Sequence, residues 1–209
     1  MDKETELKII KEKALAILTD VSAVMPKSFL ILGTALGAVR EKDFIVNGMF
    51  DIDIGVMSED FEWRHITELI RKGFDLRLVL GKRNYGMSVH LTRDDIHTDI
   101  LIFYPDEHKV WSISWFQGIE IHHEFSKEAF KPEEHYVFGK KFWSLGEKYV
   151  KEYYGENWNI PQETFDWLNE PCSVKELKED PQFIETGFNI YMNKDGKGVL
   201  EKIIQKKNS

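Results

Sequence analysis

The sequence has little cysteine, no long apolar run and no excess of positive charge. Its single cysteine, Cys172, excludes an intramolecular disulfide and gives no support for an oxidising compartment. No segment approaches the roughly 20 consecutive apolar residues of a membrane-spanning helix. The charged residues 1–4 lack the apolar core of a signal peptide. We therefore expect a cytoplasmic protein with no membrane span.

Acidic residues outnumber basic residues, 36 against 28, which gives a formal net charge of −8. This balance argues against broad binding of nucleic acid or of an anionic membrane. A nucleotide substrate remains compatible with it, because an arginine and a bound cation can reverse the field inside a cleft. The 209 residues suffice for one sizeable core. We expect a single domain over residues 1–209, with a core at about 28–125 and an extension at about 126–209.

Hydrophobic periodicity predicts alternating helices and strands. Helical spacing covers residues of about 3–24, 35–41, 58–73 and 146–154. Alternating or continuous apolar runs predict strands over residues 29–32, 50–57, 76–80, 87–91, 99–103, 110–115 and 119–123. The composition of residues 193–198 predicts a loop before a short last helix. The pattern favours the α+β class.

Two aspartates alternate along the predicted strand 50–57. Asp51 and Asp53 share one face of this strand, whereas Ile52 and Ile54 share the other. Burial of the apolar face leaves two like charges close together, which is costly unless a cation neutralises them. A hard divalent ion such as Mg²⁺ is the natural partner. Half-exposed strands also carry alternating aspartates without a metal, so this pattern alone leaves a structural role open.

A glycine and a small hydroxyl residue, Gly33 and Thr34, follow the apolar run 29–32. Such a turn lets a phosphate approach the backbone N–H groups of the next helix, whose dipole favours negative charge. Gly33 and Thr34 are therefore candidate substrate-binding residues. Because the Asp-X-Asp strand comes next along the chain, the combination favours a metal-dependent phosphoryl-transfer site.

Three blocks of sequence resemble the LicD and fukutin-related transferases of the nucleotidyltransferase-fold superfamily. They are G-T-A-L-G-A-V-R-E-K-D-F-I with D-I-D-I-G, then H-T-D-I-L-I-F-Y, then Y-V-K-E-Y-Y-G-E-N-W-N-I-P, in the order expected for that family. The resemblance spans about residues 29–167. It implies a nucleotidyltransferase-like mixed β-sheet flanked by helices, with a C-terminal helical extension.

The resemblance also implies roles for residues outside the Asp-X-Asp pair. Asp99 would be the third carboxylate, placed to bind the metal or to accept a proton from an attacking hydroxyl. Arg40 would clamp a phosphate or hold the metal loop. Arg83 and His90, on or beside the predicted strands that precede Asp99, are weaker candidates for contacts with the donor phosphates. One departure lies at residues 46–50, V-N-G-M-F, where many relatives carry acidic residues.

The implied activity is a Mg²⁺-dependent transfer, with Mn²⁺ as an alternative cofactor. A phospho-alcohol such as phosphocholine or a phospho-alditol would pass from a CDP-activated donor, for example CDP-choline or CDP-ribitol, to a glycan hydroxyl. Two alternatives stay open. The first is a nucleotidyltransferase that uses an NTP to modify a small molecule or a protein, and the second is a non-catalytic module that binds a nucleotide or a glycan. The sequence predicts no oligomeric state.

Overall fold

A computed structural model describes residues 2–45, 49–116, 119–162 and 171–179. The chain begins with helix α1, Lys3–Val24, as the periodicity predicts. The Asp2 side chain caps this helix, because it accepts a hydrogen bond of 2.9 Å from the backbone N–H of Thr5. The helix packs on the core through a stripe of buried residues, Ala14, Ile17, Leu18 and Val21.

The described residues form a mixed β-sheet flanked by helices, which confirms the α+β class. After α1 the helices are α2 (Leu32–Leu36), which continues into a π-helical turn (Gly37–Glu41), α3 (Trp63–Arg71) and α4 (Glu147–Tyr154). The strands are β1 (Phe29–Leu30), β2 (Asp51–Met57), β3 (Asp75–Lys82), β4 (Tyr85–Arg93), β5 (Ile96–Pro105), β6 (Lys109–Phe116), β7 (Ile119–Ser126), β8 (Glu133–Val137), β9 (Lys140–Ser144) and β10 (Val174–Glu179).

The order of the sheet places β2 and β5 side by side at its centre. Neighbouring strands follow the order β10-β7-β6-β5-β2-β1-β9-β8, and the β3–β4 hairpin joins through a β4–β5 pair. Strands β2 and β5 are parallel, and their register aligns Asp53 with Asp99. Two candidate ligands that are far apart in sequence thereby become direct neighbours.

The two faces of β2 serve different purposes. Ile52, Ile54 and Val56 are buried in the core, whereas Asp51 and Asp53 face the opposite side. On the aspartate face Gly55 lies opposite Phe29 of β1. A Cβ atom at position 55 would come within 2.4 Å of the Phe29 ring, so any larger residue here would force that buried ring to move.

Several elements differ from the sequence prediction. Helix α3 begins at Trp63 rather than near residue 58, and its N-cap is Glu62. The β8–β9 hairpin at residues 133–144 and the strand β10 are additional, and they extend the same sheet. The predicted loop at 193–198 and the last helix lie outside the described residues, and the single-domain organisation of residues 1–209 stays a prediction. Within the described part of the chain, no helix combines the length and apolar character needed to cross a membrane.

Candidate metal centre and active site

Three carboxylates meet at one end of the β2–β5 pair. Each of Asp51, Asp53 and Asp99 offers a carboxylate oxygen, and these three oxygens lie within 4.8 Å of one another. The alternation along β2 puts the first two on one face, and the parallel register adds Asp99 from β5. The structure thus brings together the three carboxylates singled out from the sequence.

The carboxylates repel one another, and the charges of His97 and His90 offset only part of this repulsion at Asp51. Burial, followed by the charges of Asp51 and Asp99, raises the pKa of Asp53 well above its usual range. Hydrogen bonds from the backbone of Thr34 and Gly33 offset part of that effect. Burial and the Asp99 charge likewise raise the pKa of Asp51. A divalent cation would relieve this repulsion, and carboxylate oxygens are the ligands that Mg²⁺ prefers.

Gly33 and Thr34 hold Asp53 in place from the first turn of α2, which begins at Leu32 rather than after them as the sequence predicts. The Thr34 hydroxyl oxygen accepts a hydrogen bond of 2.9 Å from the Asp53 backbone N–H. A Cβ atom on Gly33 would lie 3.4 Å from a carboxylate oxygen of Asp53, so the turn contacts this side chain closely. Gly33 also lines the cavity described below, whereas Thr34 is buried. A substrate contact of Gly33 or Thr34 stays a prediction.

The third carboxylate is hydrogen-bonded to a histidine on the neighbouring strand. His90 of β4 lies directly opposite Asp99 of β5. Its Nδ1 atom is 2.8 Å from Asp99 Oδ1, and its Nε2 atom is 2.9 Å from the hydroxyl oxygen of Ser88. Spacing along the chain gives no sign of this contact, because it depends on the register of the β4–β5 pair.

A cavity of about 460 Å³ opens in front of the carboxylates. This volume is within the range of small-molecule sites. The described residues that line the cavity include no lysine or arginine. They are Leu32, Gly33, Asp51, Asp53, Ser88, His90, Asp99, Leu101, Ile113, Ser114, Trp115, Tyr153 and Tyr154. The cavity therefore combines an acidic end with apolar, aromatic and hydroxyl-bearing walls.

A family model for the nucleotidyltransferase domain of LicD/FKTN/FKRP proteins matches residues 27–144. The match covers more than half of the chain and includes the glycine turn, both carboxylate strands and β9. The chain belongs to the LicD/FKTN/FKRP family. A search of curated proteins finds no match. The match confirms the family resemblance and contains its first two blocks, whereas the third block, residues 149–161, lies beyond the matched range. Family membership indicates a transferase with phosphotransferase-like or nucleotidyltransferase-like chemistry.

Aromatic residues at the end of α4 and on β6 complete the cavity of this LicD-family protein. Burial, followed by the nearby Asp53 carboxylate, raises the pKa of Tyr153, so its hydroxyl stays protonated at neutral pH. Burial also raises the pKa of the adjacent Tyr154. The Trp115 Nε1–H donates a hydrogen bond of 2.7 Å to the Gly86 carbonyl, which fixes the indole in the cavity wall. The block at residues 149–161 contains both tyrosines, but its sequence does not indicate where they point.

The two candidate arginines lie outside the residues that line the cavity. Arg40, on the π-helical turn, donates hydrogen bonds to a Glu41 carboxylate oxygen at 2.6 Å and to the Trp158 carbonyl at 3.3 Å. Arg83 donates to the Phe61 carbonyl at 3.3 Å, in the loop that follows the opposite end of β2. The structure does not bring Arg83 to the carboxylates. Substrate contacts by either arginine stay predictions.

Proposed function

We propose that this LicD-family protein is a Mg²⁺-dependent transferase that moves a phospho-alcohol from a CDP-activated donor to a glycan hydroxyl. The observation that carries the proposal is the group formed by Asp51, Asp53 and Asp99 at the end of a cavity whose described lining lacks cationic side chains. The family resemblance supports the choice of phosphocholine or a phospho-alditol such as phosphoribitol as the transferred unit.

The three carboxylates have complementary roles in this proposal. Asp51 and Asp53 hold the metal, and a bound Mg²⁺ would offset the negative charge of the donor diphosphate. Asp99 adds a third carboxylate to the metal site, and it also orients the acceptor hydroxyl and accepts its proton. The hydroxyl oxygen forms a bond to the phosphorus that carries the alcohol, the bond from this phosphorus to the bridging oxygen breaks, and CMP leaves with the electron pair.

The aromatic wall of the cavity suits a nucleoside. Trp115, Tyr153 and Tyr154 lie along the same cavity as the carboxylates. Aromatic rings bind planar bases and sugar faces by stacking, and their hydroxyl groups supply hydrogen bonds to polar edges. We propose that this wall binds the cytidine portion of the donor, which leaves the diphosphate beside the acidic end.

The test is an incubation of the full chain with Mg²⁺, CDP-choline or CDP-ribitol, and a panel of sugar acceptors, followed by mass spectrometry. The proposal predicts CMP and an acceptor that is heavier by one phospho-alcohol unit. EDTA and the variants Asp51→Asn and Asp53→Asn should abolish the product. His108→Asn, which changes a histidine with an 83% exposed side chain, serves as the control with unchanged turnover.

Other outcomes would overturn the proposal in distinguishable ways. An acceptor that gains a nucleotide from CTP or ATP, with release of pyrophosphate, would identify a nucleotidyltransferase at the same carboxylates. Saturable binding of the CDP-alcohol without any CMP would identify a binding module. Absence of Mn²⁺ binding in an electron paramagnetic resonance titration of the wild-type protein would remove the metal site itself.

A further inference from the structure

Strand β4 places two polar side chains, His90 and Ser88, near Asp99 of β5. The proposed transfer reaction does not itself require either of them. His90 and Ser88 are two residues apart on β4, so they share the face that points to the cavity, and both line it together with Asp99. The side chains of His90 and Asp99 are each about one quarter exposed, at 25% and 27%. Their hydrogen bond is therefore partly shielded from water.

From this geometry we propose that His90 is a positioning residue that orients Asp99 toward the metal, with Ser88 fixing the imidazole. The inference rests on the proposed metal site and adds its supporting contacts. His90 Nδ1 lies 2.8 Å from Asp99 Oδ1, which is the distance of a charge-assisted hydrogen bond. Groups that support metal ligands in this manner fix their orientation and strengthen metal binding.

The donor and acceptor of each hydrogen bond follow from the groups that can carry a proton. An ionised Asp99 carboxylate only accepts, so the proton must lie on His90 Nδ1. In the neutral imidazole the other nitrogen, Nε2, is then an acceptor, and the Ser88 hydroxyl at 2.9 Å donates to it. Ser88 is 3% exposed, which limits competition from bulk water. For a neutral His90 and an ionised Asp99, the chain Ser88 to His90 to Asp99 thus has one consistent arrangement of protons.

The hydrogen bond from His90 holds the Asp99 carboxylate in one orientation. The bond from His90 engages Oδ1 and leaves the second oxygen free of this contact. Because β4 and β5 are paired at His90 and Asp99, the strand backbones hold donor and acceptor at one spacing. The rotation of the carboxylate is limited before a cation binds, which reduces the ordering cost of binding.

The test is the affinity of the full-length protein for Mn²⁺, measured by electron paramagnetic resonance without any substrate. His90→Phe keeps an aromatic ring but removes both nitrogens, and we expect it to weaken Mn²⁺ binding about tenfold. His90→Asn retains an N–H donor near the position of Nδ1, and we expect it to restore affinity to within about threefold of wild type. His108→Phe makes the same chemical change at an exposed site and should leave affinity unchanged.

A second variant keeps the test informative where His90→Phe does not fold. Ser88→Ala removes the donor to Nε2 and should weaken Mn²⁺ binding by about twofold to fivefold. Wild-type affinity in both His90→Phe and Ser88→Ala would overturn the inference. Equal losses in folded His90→Phe and His90→Asn would also overturn it, because the N–H donor would then be irrelevant. Retention of Mn²⁺ by Asp51→Asn and Asp53→Asn would instead refute the proposed metal site.

Discussion

Two groups of partly buried charged side chains in this molecule differ in how their charges are balanced. On α1, the carboxylate of Asp20 accepts hydrogen bonds from Lys72 at 2.8 Å and from Arg93 at 2.7 Å. Burial alone would raise the pKa of Asp20, but the hydrogen bonds and charges of these two cations outweigh it and lower the pKa. At the sheet, Asp53 has carboxylates as neighbours, and burial together with their charge raises its pKa.

The contrast shows that burial by itself does not mark a functional carboxylate. Asp20 belongs to a network in which its charge is balanced by two cations, and Arg93 also packs over the Phe74 ring, 4.3 Å from its centroid. The carboxylates of β2 and β5 form an incomplete network that a cation would complete. A surplus of like charge facing a cavity, rather than a count of acidic residues, distinguishes a candidate site from a structural ion pair.

The largest expected effect tests the incomplete network. Asp53→Asn should reduce turnover by about 10³-fold or more, since it removes a metal ligand. The same change should leave the metal-free protein as stable as wild type or more stable, because it removes one of three repelling charges. Initial rates with saturating Mg²⁺ and melting temperatures in EDTA measure the two effects.

Full activity in Asp53→Asn would contradict the comparison, because the carboxylates of β2 and β5 would then have no more part in catalysis than the Asp20 network. Asp51→Asn is the matched variant, since its carboxylate lies on the same face of β2. It should show the same pair of effects with a smaller gain in stability, because burial and repulsion raise the pKa of Asp51 less than that of Asp53.

A second prediction tests the effect of burial on a pKa at His123, a buried side chain that stays neutral at pH 7. Burial, followed by the charge of His122, lowers the pKa of His123 to about 4, and its Nδ1 lies 3.0 Å from the Ser173 hydroxyl oxygen. The unfolded chain binds a proton at this histidine near pH 6.5, so stability is lost as pH falls from 6.5 toward 4. We expect a loss of about 3 kcal/mol over this range.

The control for that loss is His123→Gln, which keeps an amide for Ser173 but does not titrate. Urea unfolding at pH 7 and at pH 4 should show a smaller loss of stability in the variant than in the wild type. Parallel pH profiles of the two proteins would contradict the expected role of burial at His123.

The third prediction concerns the charge-balanced network of Asp20, Lys72 and Arg93. Asp20→Asn should lower the free energy of unfolding by about 2 kcal/mol, because it leaves the partly buried Arg93 without its main partner. Turnover per folded molecule should stay unchanged. Asp60→Asn is a suitable control, because its partner Lys27 is 73% exposed and such pairs contribute about 1 kcal/mol or less. Lost turnover in a folded Asp20→Asn protein would show that the two networks are coupled.

The smallest expected effect is at Arg40, a cation beside the site that is already paired. Arg40→Lys should lower kcat/KM about fivefold, since an ammonium group cannot reproduce the two-sided contact with Glu41 and the Trp158 carbonyl. Steady-state kinetics measure this change. Wild-type kinetics in the variant would leave Arg40 without a role in positioning or in substrate binding.

Local patterns in the sequence were sufficient to predict that the two carboxylates of β2 share one face of the strand. The alternation of Asp51 and Asp53 with buried isoleucines is a period-2 signal that any half-buried strand produces. Helix α1 is equally local, since its apolar stripe repeats at helical spacing. The proximity of Asp99 required the family resemblance, because parallel pairing of β2 with β5 is a long-range contact that periodicity does not encode.

Features that depend on register or on unusual turns could not be read from the sequence. His90 reaches Asp99 only through the alignment of β4 with β5. The β8–β9 hairpin turns at Phe138 and Gly139, which have φ values of 46° and 78°. A phenylalanine seldom adopts such a backbone, so the usual asparagine-glycine signal for a tight hairpin is absent.

The connection between β4 and β5 sets a limit on how this sequence can diverge or be engineered. Its two residues, Asp94 and Asp95, both have positive φ values, 54° and 65°, as a two-residue hairpin turn demands. One inserted residue here would shift His90 out of line with Asp99, since a one-residue slip moves every side chain to the other face. The tip of the β3–β4 hairpin at residues 83–84 contacts β5 differently, through a hydrogen bond of 3.1 Å from the Tyr104 hydroxyl to the Arg83 carbonyl. Insertions there would disturb this contact but would not change the two-residue connection that sets the alignment of His90 with Asp99.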